Sequence, residues 1–385
     1  MKTAIVHDWL TGMRGGEKCL EVFCRLYPQA DLFTLLHIPG KVSSIIENRD
    51  IHTSFLQSFP FIQSKYRHYL PLMPTAIEKL NLKGYDLILS SSHCVAKGVI
   101  PAKGSLHICY CYTPMRYIWD QYDQYFNQQS SGRLTSAAMK LVTPFLRRWD
   151  VKSSGRVDEF IAISRHVQKR IKKYYGREST IIYPPVNSQF YAPTGESPED
   201  FFLIVSAFAP YKRVDLAVEA FNELGYPLVI IGEGQKANDL RRIAGPNVRF
   251  TGWLSDEEIR SYYARCRAFI FCGEEDFGIT PLEAQSMGRP VIGFGRGGIL
   301  ETVIPDRGTW KVESEISAEK TSRPTGVFFY EQTPEALVSA IRHFETIEDR
   351  FEPEAIREHA LQFDLDIFSD RIQQFIAERY QKHQC

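Results

Sequence analysis

Two glutamates eight positions apart are the clearest candidates for chemistry in this chain. Glu275 follows the apolar run 268–271, and Glu283 lies in the helix that is predicted after Gly278. The apolar run, the glycine turn and the segment that follows predict a strand, a tight loop and a helix. One carboxylate would then lie at a strand end and the other in the first helical turn, both facing one crevice. That arrangement suits the binding of a polyol at two places.

Each glutamate also has a structural interpretation. Thr280 and Glu283 form the pattern S/T-x-x-E, with Pro281 at the first helical position. This pattern predicts a capping box, in which the Glu283 carboxylate bonds to the backbone at the helix start. Glu275 precedes a glycine-containing loop rather than a helix, so its alternative is an ordinary surface carboxylate in an acidic run.

Two further loops suit an anionic ligand. Gly15 and Gly16 stand before a predicted helix, where glycine lets backbone amides approach an anion closely. Lys212 and Arg213 also precede a helix, whose N-terminal dipole disfavours two cations unless an anion such as a diphosphate neutralises them. The alternatives are a flexible turn for the glycines and a solvated pair with Asp215 for the cations.

Short apolar strands alternate with amphipathic helices along the chain, which predicts an α/β fold of doubly wound parallel sheets. A chain of 385 residues exceeds one ordinary core, so two domains are expected, at 1–182 and 200–364, with the proline-rich segment 183–199 as linker. Such domains form a cleft, and their ligands bind at the carboxyl ends of the strands. The predicted strands are 4–7, 31–36, 86–90, 107–112, 159–163, 202–206, 228–231, 248–251, 268–271 and 291–294. The predicted helices are 17–27, 166–175, 214–224, 256–266, 281–287, 334–344 and 367–382.

Composition excludes few classes but favours a soluble protein. Lysine plus arginine equals aspartate plus glutamate at 46 each, which argues against nucleic-acid binding, and 44% of the residues are hydrophobic. No apolar run approaches the length of a membrane span, and the chain starts with a strand rather than a signal peptide. We therefore expect a cytoplasmic protein whose eight cysteines are reduced thiols. The histidines show no metal-ligand spacing, so no metal site is expected.

Several longer segments carry a family resemblance that extends over essentially the whole chain. Together with the spacing Glu275-x7-Glu283, the Lys212 loop and the Gly15-Gly16 pair, they resemble the retaining nucleotide-sugar glycosyltransferases of family four, which have the GT-B fold. They are most similar to the mannosyltransferase branch that builds O-antigen and other surface polysaccharides. The segments are IVHDWLTGMRGGEK, DLILSSSHCVAKG, CYCYTPMRYIWD, PYKRVDLAVEAFN, EEDFGITPLEAQSMGRPVIGFGRGGILETV and FDLDIFSDRI.

The resemblance implies a role for each candidate residue. Glu275, Lys212 and Arg213 would be the catalytic residues, and no cofactor or metal would be required because the nucleotide sugar is the donor substrate. The last helix, 365–385, would cross back to the first domain. The implied contacts are the donor diphosphate for Gly15, Gly16, Lys212 and Arg213; the donor sugar for Glu275, Phe277, Gly278 and Ile279; the ribose for Glu283; the nucleobase for Gly252, Trp253 and Leu254; and the acceptor for Arg14, His93, Tyr112 and Arg116.

The implied activity is transfer of a hexose, with mannose favoured, from a nucleotide-diphosphate sugar such as GDP-mannose. The acceptor would be a glycan or a polyprenyl-linked glycan. The basic stretch 165–177 suggests peripheral contact with the inner face of the cytoplasmic membrane, although a solvated helix face is the simpler interpretation. The chain departs from the family at Ala207, where many relatives have arginine, and at Tyr112, where many have histidine. These departures motivate an alternative, a catalytically weak subunit that binds nucleotide or glycan. A different enzyme on the same scaffold, an epimerase or a phosphorylase, is a further alternative.

Overall fold

The computed structural model describes residues 1–120, 122, 133–306 and 323–384. The chain divides into two compact units. The first contains Met1–Pro184 together with Asp366–Cys385, and the second contains Pro185–Leu365. The helices that the structure describes include none long and apolar enough to cross a membrane.

The first unit is built on a parallel sheet. Its strands are β1 (Thr3–His7), β2 (Asp31–Thr34), β3 (Ile51–Thr53), β4 (Leu87–Ser92), β5 (Leu106–Cys111), β6 (Glu159–Ala162) and β7 (Thr180–Ile181). Their order in the sheet is β3-β2-β1-β4-β5-β6-β7. Strands β1, β4 and β5 are fully buried, because helices cover both faces of such a sheet. These helices are α1 (Gly15–Leu26), α2 (Ser44–Glu47), α3 (Ile62–Lys65), α4 (Met73–Glu78), α5 (Arg133–Ser154) and α6 (Arg165–Tyr175).

The second unit repeats the same plan with its own core. Its strands are β8 (Phe202–Val205), β9 (Leu228–Ile231), β10 (Val248–Gly252), β11 (Ala268–Phe271), β12 (Val291–Phe294) and β13 (Gly326–Phe329). All pair in parallel, in the order β10-β9-β8-β11-β12-β13. Its helices are α7 (Val214–Leu224), α8 (Ala237–Ile243), α9 (Asp256–Arg265), α10 (Ile279–Ser286), α11 (Pro334–Thr346) and α12 (Pro353–Leu361).

Both sheets have a topological switch point, where the strand order reverses. In the first unit it lies between β1 and β4, and in the second between β8 and β11. The loops that leave neighbouring strands at such a point run in opposite directions, so a crevice opens at the carboxyl ends of the two strands. The fold therefore indicates one crevice in each unit where a ligand can bind.

The last helix, α13 (Leu365–Gln384), packs on the first unit. The Phe368 ring lies 5.9 Å from the Phe23 ring and 5.6 Å from the Tyr110 ring, measured between centroids. Farther along, the Arg379 guanidinium lies 3.4 Å from the Glu159 carboxylate. The apolar stripe of α13 thus completes the core of the first unit.

Several elements differ from the sequence prediction. Strands β3, β7 and β13 were not predicted. The first two have only three and two residues and lack an apolar run, whereas β13 is a buried apolar run of four residues that was overlooked. The helix α5 was also missed, although it is 22 residues long. Its outward face carries apolar side chains, which blurs the alternation of apolar and polar positions that marks an ordinary surface helix.

Candidate active site

An ion pair joins Lys212 and Glu275, two of the predicted catalytic residues. The Lys212 Nζ donates to the Glu275 Oε1, and only 17% and 18% of the two side chains are exposed. Both line a small cavity whose walls are the ends of β8 and β11, at the switch point of the second unit. The alternative interpretation of Glu275, an ordinary surface carboxylate in an acidic run, is therefore wrong.

Close backbone packing fixes where Lys212 and Glu275 stand. A Cβ on Gly273 would lie 3.0 Å from the Tyr211 carbonyl oxygen and 3.1 Å from the Lys212 Cα, so the lysine loop rests directly on that glycine. On the other side, the Gly298 amide donates to the Glu275 carbonyl oxygen at 2.8 Å. A Cβ on Gly297 would lie only 2.4 Å from that same oxygen. Glycine is thus required at these contacts, and the two loops form a rigid pocket wall.

Arg213 takes a different position from Lys212. Its backbone is left-handed, with φ of 50°, at the start of α7. The Arg213 Nε donates to both carboxylate oxygens of Asp215 at 3.2 Å. The structure thus contains the local pair that the sequence left open for Arg213. This pair offsets one of the two cations at the positive end of the helix dipole.

Glu283 is buried in the second turn of α10. Its Oε2 accepts a hydrogen bond from the Tyr263 hydroxyl at 3.0 Å. Burial and the charge of Glu283 raise the pKa of the Tyr263 and Tyr191 hydroxyls, which keeps both protonated as donors. The predicted capping box is wrong, because the helix starts at Ile279, the residue before Thr280, and its N-cap is Gly278 without a side-chain hydrogen bond. The early start follows from the left-handed backbone of Gly278, with φ of 88°.

The remaining donor-side candidates lie on loops of the second unit. Phe277 is buried, and Gly278 and Ile279 open α10 three and four residues after Glu275. Gly252, with φ of 77°, ends β10 and is followed by Trp253 and Leu254. The Trp253 side chain is 59% exposed, so its ring offers a flat apolar face to a ligand.

In the first unit, Tyr112 ties the start of α1 to the sheet. Its hydroxyl donates to the Gly16 carbonyl oxygen at 2.9 Å and lies 2.9 Å from the Ser91 Oγ. A Cβ on Gly16 would lie 3.6 Å from the Tyr112 ring, which is ordinary packing. The tyrosine is buried. Tyr112 therefore supports the Gly15-Gly16 turn from behind.

His93 is a partly exposed side chain at the same switch point. Its Nδ1 lies 3.0 Å from the buried Asp8 Oδ2, and a quarter of its side chain is exposed. The His93 ring lies 6.4 Å from the Tyr112 ring. Arg14 is exposed just before α1, and Arg116 is half-buried after β5. The structure thus brings His93, Tyr112 and Gly16 together.

Asp8 organises this region electrostatically. Its carboxylate accepts hydrogen bonds from four consecutive backbone amides, those of residues 93–96, at 2.6 to 2.9 Å. Burial would raise the pKa of Asp8, but the charge and hydrogen bonds of His93 and the charge of His7 lower it to about 2. The anion is thus the favoured form, and it fixes the turn that presents His93.

Comparison with known proteins identifies a family for part of the chain. Residues 190–362 match the family model described as glycosyl transferases group 1. This segment is a group 1 glycosyltransferase domain. It contains the Lys212–Glu275 pair, Glu283 and Trp253.

Two curated relatives are similar to parts of the chain, and one solved structure is similar to nearly all of it. The O-antigen chain mannosyltransferase C of Escherichia coli is 33% identical over 40% of this chain and 45% of its own length. A GDP-mannose-dependent phosphatidylinositol monomannoside mannosyltransferase of Corynebacterium glutamicum is 28% identical over 41% and 49%. The matches thus span about half the length of each curated relative. The Anabaena protein HepE, solved in complex with UDP, aligns with a TM-score of 0.69 and 15% identity over 98% of this chain and 100% of that one. This likeness confirms the predicted GT-B fold class.

Sequence reasoning missed one pair of glycines in the glycosyltransferase domain. Gly232 and Gly234, with φ of 145° and 157°, follow β9. A Cβ on Gly232 would lie 1.9 Å from the Ser206 carbonyl oxygen, and one on Gly234 would lie 2.7 Å from the Phe208 amide nitrogen. The loop after β9 therefore packs directly on the loop that leads to Lys212. The signal was the segment G-E-G directly after an apolar strand.

A pH-dependent loss of stability is expected from Asp8. Asp8→Asn should lower the free energy of unfolding at neutral pH by about 2 kcal/mol, because the pKa is depressed by nearly two units at about 1.4 kcal/mol each. The folded pKa lies below the unfolded one, so the stabilisation is full above about pH 5 and disappears as the pH falls towards 2. Urea unfolding of wild type and variant should therefore give a difference that shrinks between about pH 5 and pH 3. The exposed Asp50→Asn is the control, and a difference that does not change with pH would contradict this account.

Proposed function

We propose that the chain is a retaining hexosyltransferase that moves mannose from GDP-mannose to a glycan or polyprenyl-linked acceptor. The observation that supports this most is the Lys212–Glu275 pair in the cavity at the switch point of the second unit. A cation and a carboxylate side by side match a donor whose diphosphate is anionic and whose sugar presents hydroxyls. Mannose and GDP are favoured because both appear in the names of the curated relatives.

The proposed reaction exchanges one glycosidic bond for another on the same face of the sugar. The bond between the anomeric carbon and the diphosphate oxygen breaks, and the acceptor hydroxyl oxygen forms a new bond to that carbon. The acceptor proton passes to the departing phosphate oxygen, so no protein side chain needs to act as a covalent nucleophile. Negative charge grows on the phosphate during this step, and a preorganised cation at that point lowers the barrier.

Each candidate site residue of the second unit has a distinct role in this proposal. Lys212 neutralises the leaving diphosphate, with Arg213 as a further charge nearby. Glu275 accepts hydrogen bonds from sugar hydroxyls, and the backbone of residues 277–279 contacts the same sugar. Glu283 binds the ribose, held in place by Tyr263. The exposed Trp253 ring stacks on the nucleobase.

The parts assigned to the first unit also remain proposals. Gly15 and Gly16 would approach the diphosphate, and Arg14, His93, Tyr112 and Arg116 would serve the acceptor. Tyr112 also bonds to the Gly16 carbonyl, so it would position the glycine turn as well. A catalytically weak subunit is the second candidate function, because the Tyr112 hydroxyl is already hydrogen-bonded to the backbone.

A ligand panel tests the proposal directly. Thermal unfolding is measured with GDP, UDP, ADP and their hexose conjugates, because a ligand that binds the native state raises its melting temperature. GDP and GDP-mannose should give the largest shifts, and GDP-mannose should be hydrolysed or transferred. Binding without any turnover would favour the weak subunit, and no shift with any nucleotide would refute a nucleotide-sugar site.

The same panel assigns the part of Glu283. Glu283→Gln should shrink the melting shift with GDP, because the ribose loses a charged acceptor. Tyr263→Phe is the matched control, since it removes the same hydrogen bond but leaves the carboxylate in place. If both variants bind GDP as wild type does and only melt earlier, the part of Glu283 is structural.

A further inference from the structure

The outward face of α5 has an unusual composition for an exposed helix. Leu141 is 83% exposed, Phe145 58% and Val151 40%. Leu141 and Phe145 are four positions apart, so their side chains form one stripe, and Val151 lies at the side of the same exposed face. Exposed basic residues lie on the same face: Lys140, Arg148 and Lys152.

The charge on this face has one sign. The sequence of α5 contains a single acidic residue, Asp150, and that side chain is buried. Its Oδ1 lies 2.9 Å from the Nζ of the buried Lys97, so the one acid is turned inward and paired there. Exposed helices of soluble proteins normally interleave both signs of charge on a polar face. The outward face of α5 is instead apolar and basic.

A shallow hollow adjoins this stripe. It is lined by Trp119, Arg147, Arg148, Val151 and Lys152. The Arg147 guanidinium lies 5.1 Å from the Trp119 ring, and its Nε donates to the Ile118 carbonyl oxygen at 2.7 Å. Trp119 also stacks on Tyr174 at 4.5 Å. Three cations beside a stacked aromatic pair match the composition of protein surfaces at the boundary between lipid headgroups and acyl chains.

We propose that the outward face of α5 docks on an anionic lipid bilayer. Leu141 and Phe145 enter the interfacial layer, while Arg148 and Lys152 bind headgroup phosphates at the edge of the hollow. A helix that lies in the plane of a membrane needs this combination of an apolar stripe and flanking lysine or arginine. The proposal rests on this surface alone and does not depend on the sugar-transfer reaction.

A second copy of the chain is a poorer occupant for the same face. A two-fold symmetric contact would place the same patch on both partners, so Arg148 and Lys152 of each copy would face like charges. Anionic phospholipid supplies the opposite charge and an apolar layer together. Charge complementarity therefore favours the bilayer.

Vesicle sedimentation of the full chain tests the proposal. The probes are vesicles of phosphatidylcholine alone and of phosphatidylcholine with phosphatidylglycerol. Binding should require the anionic lipid and weaken as salt is added, because salt screens exposed charges. The double variants Leu141→Ser/Phe145→Ser and Arg148→Glu/Lys152→Glu should each bind at least about tenfold more weakly.

Matched controls come from exposed residues of the second unit. Ile243→Ser/Leu361→Ser and Lys236→Glu/Arg242→Glu should bind anionic vesicles as wild type does. Circular dichroism and melting temperature establish that every variant is folded. The proposal is overturned if wild type ignores anionic vesicles, if it binds neutral vesicles equally, or if the α5 variants bind unchanged. It is also overturned if light scattering shows a dimer that the Leu141→Ser/Phe145→Ser variant dissociates.

Discussion

Replacing Lys212 by alanine is expected to lower the rate of sugar transfer by about 10²- to 10³-fold, the usual effect of removing one preorganised charge or donor from a developing anion. The lysine lies within a small cavity next to Glu275, and little of either side chain reaches water. In such surroundings a single cation acts on the leaving phosphate with less screening than in bulk water. The loss should therefore appear in kcat rather than in KM alone, because the charge that Lys212 stabilises grows during the reaction.

The measurement compares steady-state transfer and the melting temperature of wild type and variant. Lys212→Ala leaves Glu275 without this cation, but the carboxylate retains contact with water, so the fold should persist. The matched control is Lys236→Ala, which removes a half-exposed lysine from a pair with Asp239 elsewhere in the same unit. If a folded Lys212→Ala protein keeps turnover within about twofold of wild type, Lys212 does not stabilise the leaving phosphate, and the proposed mechanism is contradicted.

Much of the second unit was predictable because its strands are uninterrupted apolar runs. Leu228–Ile231, Ala268–Phe271 and Val291–Phe294 were predicted with the bounds that the structure has. Buried parallel strands produce such runs, since both faces are covered. Lys212 could be singled out because a cation before a helix is unfavourable unless an anion neutralises it, and Glu275 because no helix start accounts for its carboxylate.

The errors at the site concern the start of one helix and contacts between segments that are distant in the sequence. The S/T-x-x-E pattern at Thr280 was misleading because the Gly278 backbone lets the helix begin earlier. The carboxylate of Glu283 instead meets Tyr263, which is 20 positions away. Likewise, the bond from Tyr112 to Gly16 spans 96 positions. Local patterns cannot anticipate such partners, because they depend on how the strands are ordered in the sheet.

Replacing Lys97 by methionine should lower the free energy of unfolding by about 3–5 kcal/mol, more than Asp8→Asn, because one partner of a buried ion pair would remain without its counter-charge. The Lys97 Nζ bonds to the Asp150 carboxylate at 2.9 Å, and to the Asp150 carbonyl and the Ser153 Oγ at 2.8 Å. The other carboxylate oxygen accepts from Trp119 and Tyr175, which are neutral donors. Methionine fills a similar volume, so the loss reports on charge rather than on a cavity.

Urea unfolding measures this loss, and a second substitution identifies its cause. Adding Asp150→Asn to Lys97→Met removes the unpaired charge, so the double variant should be less destabilised than the sum of the two single variants. The exposed Lys103→Met is the control and should change stability by less than about 0.5 kcal/mol.

Because Asp150 is the one acid of α5, the pair also keeps negative charge away from the outward face of that helix. A Lys97→Met loss below about 1 kcal/mol would mean that water reaches the pair, and would contradict its description as a buried ion pair.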